Sequence, residues 1–77
     1  MLTYEKTTDD GVLATYEYSP NGTGRTGSVS IDRSTGQATL VAKSPDDDGM
    51  CYGQMLAHAR RMNRTGNLRD AGTLTWY

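Results

Sequence analysis

The stretch from Ser44 to Gly66, SPDDDGMCYGQMLAHARRMNRTG, most constrains what this chain can fold into. It alone joins helix-length apolar periodicity to start and stop signals. Cys51, Met55, Leu56, Ala59 and Met62 recur at helical spacing, which predicts a helix over 45–65. Ser44 is the expected cap and Pro45 the first helical residue. Asp46, Asp47 and Asp48 face the positive end of the macrodipole, Arg60, Arg61 and Arg64 lie near its negative end, and Gly66 stops the helix. One apolar stripe covers a small sheet and cannot build a bundle, so the other residues must supply strands.

Residues 2–7 and 12–19 alternate around Asp9-Asp10-Gly11, whose Asp-Gly pair suits the positive φ angles of a tight hairpin. Leu2 and Tyr4 are expected to share a face with Val12, Ala14, Tyr16 and Tyr18, while Leu13 breaks the pattern. Residues 20–27, PNGTGRTG, form an apolar-free connection. Residues 28–32 and 37–43 flank a second turn, Arg33-Ser34-Thr35-Gly36, and offer Val29, Ile31, Ala38, Leu40 and Ala42 to the core. After a polar return, residues 73–77 alternate again, with Leu74 and Trp76 toward the helix stripe. The expected fold is α+β: an antiparallel meander of four strands, one helix on one face and a short fifth strand at the C-terminus. Thr3, Glu5, Thr15, Glu17, Ser28, Ser30, Thr39, Thr73 and Thr75 would face water on the other side.

At 77 residues the chain is a single domain, 1–77, with little core to spare for a walled active site. Its formal charge of −1 argues against a general nucleic-acid coat. The single cysteine excludes an internal disulfide, and residues 1–11 lack a charged n-region and an apolar h-region, so the expected location is the cytoplasm, without a membrane span.

Gly22, Gly24, Gly27 and Val29 form a GxGxxGxV string, and Lys43 follows in LVAK. This resembles the first strands of a protein kinase, where such a loop lies over nucleotide phosphates and the lysine holds them. The expected helix holds no glutamate to pair with Lys43, and no HRD or DFG motif follows. Turn chemistry alone explains the glycines, so nucleotide binding through Gly22–Gly27 ranks third among the functions considered. Cys51 and His58 lie two helical turns apart, too far to share a metal or form a nucleophile pair. Asp46-Asp47-Asp48-Gly49 lacks the alternating ligands of a calcium loop. No catalytic group, metal or cofactor is expected.

Arg60, Arg61, Arg64 and Arg69 make the C-terminal third locally basic and are the candidate contacts for an anion or nucleic acid. Their plainer role is to offset the helix dipole and pair with carboxylates. The last residues, Gly72-Thr-Leu-Thr-Trp76-Tyr77, with the strand and helix order, resemble a group of short uncharacterised Gram-positive bacterial proteins that end in a Gly-x-x-x-Trp-Tyr strand. The resemblance implies this fold order and a bacterial cytoplasm, and it assigns no functional residue. The reading is a non-enzymatic accessory module that contacts an unidentified protein or a second copy of itself, with Thr73, Thr75 and Tyr77 at the interface. Nucleic-acid contact through the four arginines is the alternative.

Overall fold

A computed structural model describes residues 1–76. Five strands and one helix follow in the order β1 (Leu2–Asp9), β2 (Leu13–Pro20), β3 (Gly27–Asp32), β4 (Ala38–Ala42), α1 (Met50–Thr65) and β5 (Ala71–Leu74). All neighbours pair antiparallel, and the sheet order is β4-β3-β2-β1-β5. The α+β meander expected from the sequence is present. After the helix the chain crosses back, and β5 closes the sheet beside β1.

Leu2, Tyr4, Ala14, Tyr16, Tyr18, Val29 and Ile31 are buried on one face, against Cys51, Met55, Ala59 and Met62 of α1. The alternation in the sequence sets this face, since residues two apart along a strand point the same way. Tyr16 and Tyr18 are fully buried, so this small core rests on phenol rings. Each phenol oxygen still finds a partner, as burial of a polar atom requires. Tyr16 donates to the Arg69 carbonyl at 2.6 Å and Tyr18 to the Asp47 carboxylate at 2.6 Å.

Two irregularities re-aim side chains. Lys6 opposes Tyr16 but Thr8 opposes Thr15, so Thr7 is an extra residue in β1. On β4 the pairs Val29 with Leu40 and Ser28 with Ala42 leave Val41 as the extra residue. A bulge shifts the face of everything beyond it. Ala42 is therefore exposed beside Ser28 instead of joining the core as the alternation suggested. Val12, also expected inside, lies in the β1–β2 turn and is 62% exposed.

The helix start differs most from expectation. Helical geometry begins at Met50, because Gly49 takes φ 104°, a left-handed conformation that halts any helix arriving from Pro45. Ser44 is buried and does not cap: its hydroxyl donates to the Arg25 carbonyl at 2.7 Å and accepts the Asp46 N–H at 3.2 Å. Asp47 and Asp48 take over the end of the helix. The Asp47 carboxylate accepts N–H groups from Gly49, Cys51 and Tyr52 at 2.8, 3.1 and 2.9 Å, and Asp48 accepts that of Met50 at 3.0 Å. Burial pushes the Asp47 carboxyl up, but the Tyr18 hydroxyl and the three N–H groups together outweigh it and hold it below the ordinary value. At the other end Gly66 donates to the Asn63 carbonyl and Asn67 to that of Met62, the paired reversed bonds of a Schellman stop.

Candidate functional site

The helix lies across β2, β3 and β4, and β1 and β5 extend beyond it. Their inner face is finished by half-buried Leu68, Leu74 and Trp76 and by a polar strap from the helix. In the strap, Arg61 Nη2 lies 3.2 Å from His58 Nδ1, and His58 Nε2 lies 3.0 Å from the Tyr4 hydroxyl. A guanidinium can only donate, so Nδ1 accepts and the imidazole proton sits on Nε2, directed at Tyr4. Burial first, then the charges of Arg61 and Arg69, lower the His58 pKa and favour this neutral ring. Tyr4 lies directly over Gly72 of β5, where a Cβ would stand 2.5 Å from the phenol oxygen. The glycine leaves room for the ring to approach the last strand this closely.

β5 is an edge, and its register fixes which backbone groups are open. Lys6 N–H donates to the Asp70 carbonyl at 2.7 Å, and the same diagonal pairs Tyr4 with Gly72 and Leu2 with Leu74. In an antiparallel ladder, residues that bond across alternate with residues that bond outward. Gly72 and Leu74 therefore bond to β1, and the N–H and C=O of Ala71 and Thr73 face away from the sheet. Both residues are exposed, and β5 carries no charge, proline or bulge. Thr73, expected at an interface, thus stands at the centre of an open edge. The strand begins at Ala71 and ends at Leu74, not over 73–77, so exposed Thr75 follows it. Tyr77 lies outside the described residues.

The four arginines do not form one surface. Arg60 and Arg64, four residues apart on the helix, line a cleft with Ser34, Thr35, Gly36 and Asn63 beside the β3–β4 turn. Arg61 goes to the other flank of the helix with His58, and Arg69 sits in the connection to β5. Among the described residues none of the four has a carboxylate within ion-pair distance; the carboxylates pair instead with Lys6, Arg25 and Arg33. Lys6, with Asp9 at 3.3 Å and Asp70 at 3.2 Å, ties the helix–β5 connection to β1.

The glycine string has a structural account. Asn21 and Gly22 both take positive φ in the β2–β3 connection, and a Cβ on Gly27 would stand 2.6 Å from the Ser44 nitrogen and the Tyr18 ring. Exposed Lys43 precedes Ser44. Cys51 is buried, and burial pushes its thiol pKa up. Among the described residues no group of three or more His, Cys, Asp or Glu side chains could hold a metal, and no helix is long and apolar enough to cross a membrane. Sequence reasoning missed the Tyr4–His58–Arg61 strap; a histidine one turn before the arginines and on the flank of the stripe was its signal. No known protein family, curated protein or solved structure matches the chain.

Proposed function

We propose that this is a non-enzymatic protein-contact module that works as a homodimer, joined by antiparallel pairing of β5 with β5 of a second copy. The observation that carries the reading is the outward-facing backbone of Ala71 and Thr73 on an uncharged, unbulged edge. A register that keeps inner and outer faces matched places Thr73 opposite its own copy, a threonine pair on the solvent face. Gly72 and Leu74 then continue the inner layer across the two-fold axis, where half-buried Leu74 and Trp76 gain cover. The separation of Arg60 and Arg64 from Arg61 and Arg69 weighs against the nucleic-acid alternative, which needs a continuous cationic track.

Light scattering and sedimentation across a concentration series test this reading. The expected mass is twice the 8.4 kDa of one chain, with backbone amide protection at Thr73 that grows with dimer fraction. A strict monomer at millimolar concentration would overturn it, as would a dimer in which the Thr73 amide exchanges freely.

A further inference from the structure

The cleft of about 340 Å³ between the β3–β4 turn and the last two turns of α1 has no part in the proposed dimer, yet it is built. Asn63 Nδ2 donates to the Arg33 carbonyl at 3.3 Å and fixes the turn to the helix. Helical spacing stacks Arg60 and Arg64 one turn apart on the same face, both exposed and, among the described residues, without a carboxylate partner. The Thr35 hydroxyl accepts the Gln37 N–H at 3.2 Å and its own hydrogen is directed toward Asp32. The nearby Asp32 carboxylate is turned into the loop, where it accepts the Ser34 N–H at 2.9 Å, the Ser34 hydroxyl at 2.7 Å and the Thr35 N–H at 3.2 Å. Two guanidinium forks and the second Asn63 amide hydrogen are thus free at one concave place.

We propose that this cleft binds the terminal phosphate of a small phosphomonoester. A monoester near neutral pH approaches two negative charges, which matches two arginines, and its three terminal oxygens accept forked bonds from both. A nucleic-acid strand fits less well. Its diester carries one charge per phosphate, no aromatic side chain lines the cleft to stack a base, and Arg61 and Arg69 do not extend the pair into a track.

Arginine Nε–Hε and backbone amide NMR signals of the full chain, titrated with glycerol phosphate, inorganic phosphate and a single-stranded oligonucleotide with hydroxyl ends, test the proposal. The expected result is saturable shifts at Arg60, Arg64 and the Thr35 amide with glycerol phosphate. Binding should weaken about tenfold or more in Arg60→Gln and in Arg64→Gln and stay unchanged in Arg61→Gln. These are surface substitutions, so the melting temperature serves as a fold control. Absence of saturation, equal weakening by Arg61→Gln, or tighter binding of the oligonucleotide or of free phosphate than of the ester would overturn the assignment.

Discussion

The two sides of the sheet are finished in opposite ways. On the β3–β4 side the helix lies over the strands, and Val41 bulges the edge, so the outermost backbone does not run straight. On the β1–β5 side the helix reaches the sheet chiefly through the His58 strap, a tyrosine ring over Gly72 and the half-buried Leu74 and Trp76 finish the inner face, and the edge is straight and uncharged. A bulge is one of the standard protections against edge-to-edge pairing, and β5 has none. One edge is bulged and the other is straight, which is why the proposed interface lies at β5.

The strongest way to break the comparison is to remove the open side. Deleting residues 73–77 takes away Leu74 and Trp76, strips half of β5 from β1 and leaves buried Leu2 without its partner. Losing half-buried Leu74 and Trp76 together with two ladder pairs should cost about 3–5 kcal/mol, on the scale of the stability of a domain this small. The deletion variant should be unfolded by circular dichroism; a native spectrum would mean that β5 is an appendage.

Breaking the helix-covered side comes next in size. Asp47→Ala leaves the N–H groups of Gly49, Cys51 and Tyr52 and the Tyr18 hydroxyl without their acceptor, with Tyr18 fully buried. The loss should be about 2–4 kcal/mol in urea unfolding. The same carboxylate makes the fold acid-sensitive. Its pKa is held below the unfolded value of 3.8, so its contribution is present above pH 3.8 and is lost as pH falls below that toward the folded value. Asp47→Ala should make that acid limb shallower without abolishing it, because the carboxyls of Asp9, Asp10 and Asp32 are also held below 3.8. A variant whose limb keeps its native slope would place the acid sensitivity wholly on those other carboxylates.

The open edge itself can be tested without harming the fold. The Thr73 N–H points away from β1, so Thr73→Pro removes no ladder bond inside the chain but blocks pairing with a second copy. It should give a folded protein whose dimer dissociates at least about tenfold more readily. Gly72→Pro, one residue earlier, removes a bond to β1 and should unfold the chain. If Thr73→Pro still dimerises as the native chain does, β5 is not the interface. Deleting Val41 should sharpen the contrast by straightening β4, so that light scattering shows species larger than a dimer.

Much of this architecture was legible because alternation and helical spacing report local burial. Leu2, Tyr4, Ala14, Tyr16, Tyr18, Val29 and Ile31 lie on the face their spacing implied. What escaped were the places where one residue outvotes a pattern. Gly49 cuts five residues from the start of the expected helix, and the Val41 bulge turns Ala42 outward. Ser44-Pro45-Asp46-Asp47 carries every mark of a helix start, yet the carboxylate that matters is recruited by Tyr18 from a distant strand, a long-range contact that no local window contains. The arginines were legible as a group by composition, but the face each takes depends on the angle of the helix on the sheet. Arg60 and Arg64 therefore separate from Arg61 only in three dimensions.

The smallest effect concerns the strap that links the helix to the open side. His58 accepts from Arg61 at Nδ1 and donates to Tyr4 from Nε2, so a second proton would set an N–H against a guanidinium and break the chain of bonds. Burial and the two arginine charges lower its pKa, so the folded state binds this proton less readily than the unfolded state, whose value is 6.5. The stability it contributes is therefore complete above pH 6.5 and declines as pH falls from 6.5 through the folded value. The urea midpoint should drop slightly across that window, and His58→Gln should remove the slope while leaving the acid limb of Asp47, which lies below pH 3.8, in place. Because Tyr4 lies on Gly72, release of the strap should also loosen β5 before the helix. Amide exchange at Gly72 and Leu74, whose N–H groups bond to β1, should accelerate below pH 6.5 while that at Met55 and Ala59 does not, once intrinsic exchange rates are corrected for pH. Equal acceleration at all four positions would mean that the two sides of the sheet open together.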